Sequence, residues 1–157
     1  MGLQLLRRKQ QSEVARPADI GRVGERYNTY FPRLFAYVRA CVGGDIPAED
    51  IVIQAFSRAF SDPNSADEDS FRTLLFRTAR KLCRPALKQA GADRDDALNP
   101  REREALSLVF DAGFTRAQIA SMFRIRESTV SALLMTGLRK LKEETSPAAA
   151  AAYLKLA

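Results

Sequence analysis

Cations dominate one stretch of the chain and give it its clearest chemical character. Six lysine and arginine side chains lie between positions 72 and 88 with no acidic residue among them: Arg72, Arg77, Arg80, Lys81, Arg84 and Lys88. Such a face can follow the phosphates of a nucleic acid, and a solvated helix surface is the alternative. The whole chain has 25 Lys and Arg against 19 Asp and Glu, a net charge of +6. This balance favours an anionic partner, nucleic acid before a membrane surface.

The other reactive residue types form no catalytic or metal-binding pattern. The 157 residues include no histidine, which removes the commonest general base and metal ligand. The densest carboxylates, Glu49, Asp50 and the cluster at 67–69, have no nucleophile or ligand pattern beside them. Cys41 and Cys83 are far apart in sequence, so a zinc ribbon or redox motif is excluded and reduced thiols are expected. The sequence predicts a protein that is not an enzyme and that needs no metal and no cofactor.

Helical periodicity runs through the segments that position the cations, whereas strand signals are weak throughout. The first helix contains residues 27–41, whose apolar side chains recur at spacings of three and four. A second helix begins near Pro47, and a third begins near Ser70 after the polar loop 61–69. Pro85 predicts a kink or an early end in the third helix, because proline disrupts the hydrogen bonding of a helix interior.

The C-terminal part of the chain has the pattern of a helix-turn-helix. A capping box, Thr115 with Gln118, opens a short helix. A turn at 123–126 leads to a last helix at 127–141, and the small Ala120 allows the two helices to cross closely. The second helix of such a pair lies in the major groove of DNA. An ordinary helical hairpin is the alternative.

The composition divides the chain into five segments. Asn99 and Glu102 resemble a second capping box and mark the start of a new domain after an aperiodic stretch. No apolar run reaches the roughly 20 residues of a membrane-spanning helix, and the N-terminus lacks the apolar core of a secretory signal. We expect a cytoplasmic protein with no membrane partner. Its predicted segments are a basic flexible tail at 1–23, a helical domain at 24–88, a linker at 89–98, a helix-turn-helix domain at 99–142 and a C-terminal tail at 143–157.

Four stretches in this order resemble a known family. They are residues 30–39 (YFPRLFAYVR), 48–56 (AEDIVIQAF), 71–80 (FRTLLFRTAR) and the helix-turn-helix region 98–141. The chain resembles the extracytoplasmic-function (ECF) type of bacterial RNA polymerase sigma factor over about residues 24–142. The resemblance implies an all-α fold of two small helical domains, called sigma regions 2 and 4, which a short linker joins.

The resemblance also implies partners and site residues. Region 2 would bind the clamp helices of the beta-prime subunit of core polymerase through Glu49, Asp50, Gln54 and Phe56. For Glu49 and Asp50, interaction with the helix dipole is a further interpretation. The loop 61–69 would help to form a pocket for a flipped-out promoter base. The implied contacts with the minus-ten element come from Arg77, Arg80, Lys81, Arg84 and Lys88.

Region 4 would bind the flap of the polymerase beta subunit and place the last helix on the minus-thirty-five element of promoter DNA. The implied contacts there come from Arg124, Arg126, Ser128, Thr129, Ser131, Thr136, Arg139 and Lys140. An anti-sigma factor is another partner that the resemblance suggests.

Departures from the family pattern leave a second function open. Leu74, Lys81 and Pro85 stand where the family usually has tryptophan, asparagine and aspartate, so promoter preference does not carry over. The last helix has fewer cations than the family pattern, and its apolar run at 133–135 suits a protein contact. The linker residues 89–97 span only about 30 Å when extended. The alternative is a sigma-like regulator or decoy that binds polymerase or an anti-sigma factor without initiating transcription.

Overall fold

The computed structural model describes residues 17–44, 46–90 and 97–144, and for residues 17–19 and 86–90 it describes the backbone only. No strand occurs within these ranges, and the predicted all-α fold is confirmed. The helices are α1 (Pro17–Val42), α2 (Ala48–Ser61), α3 (Glu68–Ala90), α4 (Pro100–Phe110), α5 (Arg116–Phe123) and α6 (Glu127–Glu144).

Two helix boundaries differ from the sequence prediction. Helix α1 begins at Pro17, inside the predicted N-terminal tail, because proline suits the first turn of a helix, where its missing N–H is not needed. Helix α3 does not end at Pro85 but continues to Ala90. Proline removes one backbone hydrogen bond there, and the buried Cys83 two residues before it packs this part of the helix in the core. The predicted linker 89–98 thus begins within α3, and residues 91–96 lie outside the described residues.

Helices α1, α2 and α3 form an N-terminal bundle. Leu34 of α1, Val52 of α2, and Phe71 and Leu75 of α3 are fully buried among them. The apolar spacing read from the sequence therefore lies on the inner face of each helix. Gly43, with a φ of 79°, takes the left-handed conformation that ends α1.

Helices α4, α5 and α6 form a C-terminal bundle, and both predicted capping boxes are present. The Asn99 side chain accepts a hydrogen bond from the Glu102 N–H at 2.9 Å, and the Glu102 carboxylate accepts one from the Asn99 N–H at 3.0 Å. Thr115 and Gln118 make the same reciprocal pair at 3.2 and 2.9 Å. These bonds satisfy N–H groups that the first turn of a helix leaves without partners.

The two bundles pack directly on each other. Helix α1 contacts α4 across the junction. The ring of Phe76 on α3 meets the ring of Phe114, just before α5, edge to face at a centroid distance of 5.1 Å. Buried residues of both bundles belong to one continuous apolar core. The packing therefore brings the cation-rich helix α3 against the helix-turn-helix.

Candidate nucleic-acid and protein interfaces

The exposed face of helix α2 contains three of the four residues that the resemblance assigns to core-polymerase binding. Glu49, Asp50 and Gln54 are exposed, as a docking face requires. Phe56 is instead 3% exposed and lies in the core, where its ring packs against Tyr27 at a centroid distance of 4.9 Å. Its position on the inner side of the helix leaves it no direct contact with a partner.

Ile53 is the residue of this face that the sequence prediction missed. Its side chain is 58% exposed, between Asp50 and Gln54 on the same side of α2. Its spacing could have revealed its exposure, because the buried residues Val52, Ala55 and Phe56 lie on the other side of the helix. An exposed apolar side chain in a polar surround is the usual centre of a protein contact.

The loop 62–67 between α2 and α3 is held in place by α1. Arg26 is buried, donates hydrogen bonds to the carbonyl oxygens of Ser65 and Ala66 at 3.0 and 2.9 Å, and pairs with Glu68 at 3.0 Å. The Tyr30 hydroxyl donates to the same carboxylate at 2.7 Å. These contacts fix a loop whose polar composition alone would allow many conformations.

An open cleft lies beside this loop, where the resemblance implies a pocket for a promoter base, and it is called the candidate base pocket below. The cleft has a volume of about 460 Å³ and is lined by Asp62, Asn64, Asp69, Ser70, Thr73, Leu74 and Arg77. Asp67 accepts a hydrogen bond from the Ser70 N–H at 2.9 Å and so caps α3. The Ser70 hydroxyl, together with that backbone hydrogen bond, lowers the pKa of Asp67. Amide, hydroxyl and carboxylate groups of this kind suit hydrogen bonding to the edge of an unstacked base.

The cations of α3 divide into two groups. Arg72, Arg77 and Arg80 reach the C-terminal bundle. Lys81 and Arg84 are exposed. The side chain of Lys88 lies outside the described residues, although its backbone is helical. The single cationic face that the sequence predicted is therefore partly covered by the other bundle.

The helix-turn-helix has the predicted order of short helix, turn and long helix. Arg124 ends α5 with a φ of 56°, a left-handed conformation that usually requires glycine. The Ile125 N–H donates to the Ala120 carbonyl at 3.1 Å, which closes the turn. Ile119, Phe123 and Val130 are buried, and so is Ala120, the small residue at which the sequence predicts a close crossing of the two helices.

The predicted DNA contacts of this motif are unequally accessible. Arg124, Arg126, Ser128, Thr129 and Arg139 are exposed, whereas Ser131 and Thr136 are half-buried. The Ser131 hydroxyl accepts a hydrogen bond from Arg116 at 2.9 Å. Lys140 pairs with the buried Glu102 at 2.9 Å, so it joins α6 to α4. Met135 is 63% exposed on the same side of α6 as Ser128 and Arg139, which places an apolar side chain within the predicted DNA-binding face.

Neither a membrane span nor a metal site is found in the described ranges. Within residues 17–44, 46–90 and 97–144, no helix is long and apolar enough to cross a bilayer. No three His, Cys, Asp or Glu side chains are grouped there as metal ligands would be.

Comparison with protein families decides the identity of both bundles. Residues 26–92 match the sigma-70 region 2 family, and residues 96–143 match the sigma-70 region 4 family. The chain belongs to the sigma-70 family. The presence of just these two regions in a small protein is consistent with the ECF type. No curated protein compared with the chain matches it significantly. The N-terminal bundle is accordingly called region 2 below, and the C-terminal bundle is called region 4.

A buried carboxylate of region 4 joins it to region 2. Glu104 of α4 is 4% exposed, and one of its oxygens accepts a hydrogen bond from the Tyr37 hydroxyl at 2.6 Å. The same oxygen accepts from Arg80 at 2.7 Å. Burial, with Cys41 and Glu104 nearby, raises the pKa of Tyr37 well above its ordinary value, so the phenol remains a hydrogen-bond donor.

Aromatic rings and side-chain hydrogen bonds extend this junction along α3. The Arg72 guanidinium lies 4.2 Å from the ring centroid of Phe114 and donates to Gln118 at 3.2 Å. The Arg80 guanidinium lies 4.6 Å from the ring centroid of Phe123. Arginines that the sequence assigns to nucleic acid thus contact region 4 in this arrangement. Glu104, the partner of Arg80, had one sequence signal, since it is an acid spaced four residues from the apolar Leu108.

Proposed function

We propose that this chain is an RNA polymerase sigma factor that binds core polymerase and directs promoter recognition and the start of transcription. The observation that carries the proposal is the presence of sigma-70 regions 2 and 4, in that order, on one chain. A protein of this kind does no bond-making chemistry itself and works in the cytoplasm with the polymerase. Its cations and its helix-turn-helix provide the two DNA-facing elements that the function needs.

Region 2 would dock on the clamp helices of the beta-prime subunit through the exposed face of α2. Asp50 and Gln54 supply polar contacts at its centre, and Glu49 adds charge near the start of the helix. Ile53 supplies the apolar anchor. Phe56 would act only by holding this face in position from within the core.

The minus-ten element would meet α3 and the loop beside it. Lys81 and Arg84 are accessible for phosphate contacts, and Lys88 lies further along the same helix. Arg77 borders the candidate base pocket. Arg80 would reach DNA only after region 4 moves away from it, because Glu104 holds its guanidinium in the packed arrangement.

Region 4 would bind the beta-subunit flap and place the start of α6 at the minus-thirty-five element. The exposed groups there are Arg124, Arg126, Ser128 and Thr129, with Arg139 further along the helix. Phosphate contacts would supply most of the affinity, and the hydroxyl groups near the N-terminus of α6 would reach base edges.

Run-off transcription tests the proposal directly. Core polymerase with the full chain should produce discrete transcripts from fragmented genomic DNA, and their start sites should share upstream elements. Asp50→Ala combined with Gln54→Ala should weaken core binding by about tenfold, since central interface residues carry most of the affinity. Glu25→Ala, which removes an exposed acid from α1, is the matched control and should leave binding unchanged. If the double variant binds core as tightly as the control, α2 is not the docking face.

A sigma-like regulator or decoy is the second candidate function. The exposed apolar side chains of α6, Met135 and Leu138, favour it because they suit a protein partner such as an anti-sigma factor better than DNA. Tight co-elution with core polymerase and no transcript from any fragment would favour this function. Discrete transcripts would exclude it.

A further inference from the structure

A cationic cleft lies between region 2 and region 4. Its volume is about 360 Å³, within the range of roughly 300–1,000 Å³ that is typical of small-molecule sites. Ser121, Met122 and Phe123 line one part of it. The other lining side chains are all cationic: Arg77, Arg80, Lys81 and Arg84 of α3, Arg101 of α4 and Arg124 of the turn. Two separate bundles thus supply one positively charged concave surface.

Most of this positive charge is not neutralised by the described part of the chain. Arg80 pairs with Glu104, and Arg77 donates only to the neutral Ser121 hydroxyl at 3.4 Å. Within the described residues no carboxylate pairs with Lys81, Arg84, Arg101 or Arg124. Like charges held around a concave surface raise the local potential and attract a compact anion of high charge.

The cleft offers hydrogen-bond donors for phosphate oxygens but no stacking surface for a base. Planar guanidinium groups bind phosphate oxygens in pairs, and arginine supplies five of the six cations. The one aromatic ring in the lining, Phe123, is buried, and the guanidinium groups of Arg80 and Arg101 lie 4.6 and 5.6 Å from its centroid. Single-stranded nucleic acid is usually held by stacking on accessible rings. The lining therefore favours a ligand recognised through its phosphates alone.

We infer that this cleft binds a short chain of phosphates, a pyrophosphate or triphosphate group, between region 2 and region 4. The group can be inorganic or the end of a nucleotide, since both present the same oxygens. Because the walls come from both regions, the bound anion stabilises the packed arrangement. It also occupies Lys81 and Arg84, so a promoter strand is excluded while the anion is bound. The inference goes beyond the sigma-factor function, because it predicts that the chain binds the anion in the absence of core polymerase.

Calorimetric titration of the full chain with inorganic tripolyphosphate tests the inference. The expected result is one site per chain, with binding at least tenfold tighter than that of sulfate at the same ionic strength. Arg84→Gln and Arg101→Gln each remove one exposed cation, from opposite walls of the cleft, and each should weaken binding by about tenfold. Arg58→Gln removes an exposed arginine of α2 outside the cleft and should have no effect. Far-UV circular dichroism of each variant verifies that it is folded.

Several results would overturn the inference. Sulfate that binds as tightly as tripolyphosphate would show nonspecific ion binding, and so would equal losses in all three variants. A loss in Arg84→Gln without one in Arg101→Gln would assign the anion to region 2 alone. Binding of an eight-nucleotide single-stranded DNA without binding of tripolyphosphate, ATP or GTP would make the cleft a nucleic-acid site. Arg101 has no proposed promoter contact, so Arg101→Gln should transcribe normally in the absence of polyphosphate. Failure of the anion site therefore leaves the sigma-factor function untouched.

Discussion

Replacement of Glu104 should weaken the junction between region 4 and region 2. In Glu104→Ala the Tyr37 hydroxyl, on a fully buried side chain, loses its acceptor, and Arg80 loses its carboxylate. The Arg80 side chain is 18% exposed, so little water is available to replace the lost partner. Removal of one member of a buried ion pair costs about 3–5 kcal/mol. The free energy of unfolding should fall by about that amount.

Glu104→Gln separates the effect of the charge from that of the shape. An amide oxygen can still accept the Tyr37 hydrogen bond but does not neutralise Arg80. The free energy of unfolding should therefore fall by less than in Glu104→Ala, by about 1–3 kcal/mol, the range for a buried polar group without a full partner. A double-mutant cycle with Tyr37→Phe should give an interaction energy of about 0.5–3 kcal/mol, because one carboxylate oxygen accepts from both donors.

Urea denaturation followed by circular dichroism measures both effects. The wild type should unfold in one transition, since its two regions share a core. Glu104→Ala should unfold less cooperatively, with a lower m-value, because a weakened junction couples the two regions less tightly. Glu25→Ala, which removes an exposed acid from the middle of α1, is the control and should change stability by less than about 0.5 kcal/mol. A loss of under about 1 kcal/mol in Glu104→Ala, with an unchanged m-value, would refute the described junction.

Three further predictions concern two helix glycines, the Tyr30 hydroxyl and the two cysteines. Gly137→Ala should destabilise the protein by about 1 kcal/mol, because a Cβ there would meet the side chain of Leu106 at 2.9 Å. At Gly21 a Cβ would meet nothing within 4 Å, so Gly21→Ala should stabilise the protein by about 0.5–1 kcal/mol. Thermal unfolding measures both changes. Burial, followed by a neighbouring carboxylate, raises the pKa of Tyr30 to about 12, so its contribution to stability is complete below pH 10 and is lost as pH rises to 12. Tyr30→Phe should therefore lose less of its free energy of unfolding between pH 10 and 12 than the wild type. The same pH dependence in both proteins would contradict the raised pKa of Tyr30. Cys41 and Cys83 should react with a thiol reagent only when the protein unfolds, because both thiols are buried. The neighbouring Cys83, together with burial, also raises the pKa of Cys41, which leaves little reactive thiolate. Fast labelling of the native protein would contradict this prediction.

The helices, and the start signals of α4 and α5, could be predicted from local sequence. The capping boxes at Asn99 and Thr115 are formed by residues three apart, so their hydrogen bonds depend on the local chain alone. The apolar stripes of the helices likewise follow from spacing, and they face the core as expected. Of the two outcomes that Pro85 predicts, the early end is wrong, because α3 continues to Ala90. A proline penalty is a local preference that tertiary packing can exceed.

The candidate sites could be predicted only in part. Glu49, Asp50, Gln54 and Phe56 were all assigned to a docking face by the resemblance, and the first three are exposed. Phe56 is buried, as its place in the apolar stripe of α2 already indicates. The partners of the α3 arginines could not be predicted, because Glu104 is 24 residues from Arg80 and 67 from Tyr37.

The sequence by itself determined the fold class, the resemblance to sigma-70 regions 2 and 4 and the positions of the α3 cations. The fold class and the cations follow from composition and helical spacing, and the regions follow from the order of four family-like stretches. Only the tertiary structure decided which cations remain accessible and which are held by region 4. That choice depends on the packing of Phe76 against Phe114 and on the burial of Glu104 between two bundles. Such contacts bring together residues far apart in the chain, and their energy comes from burial and charge pairing that no local pattern encodes.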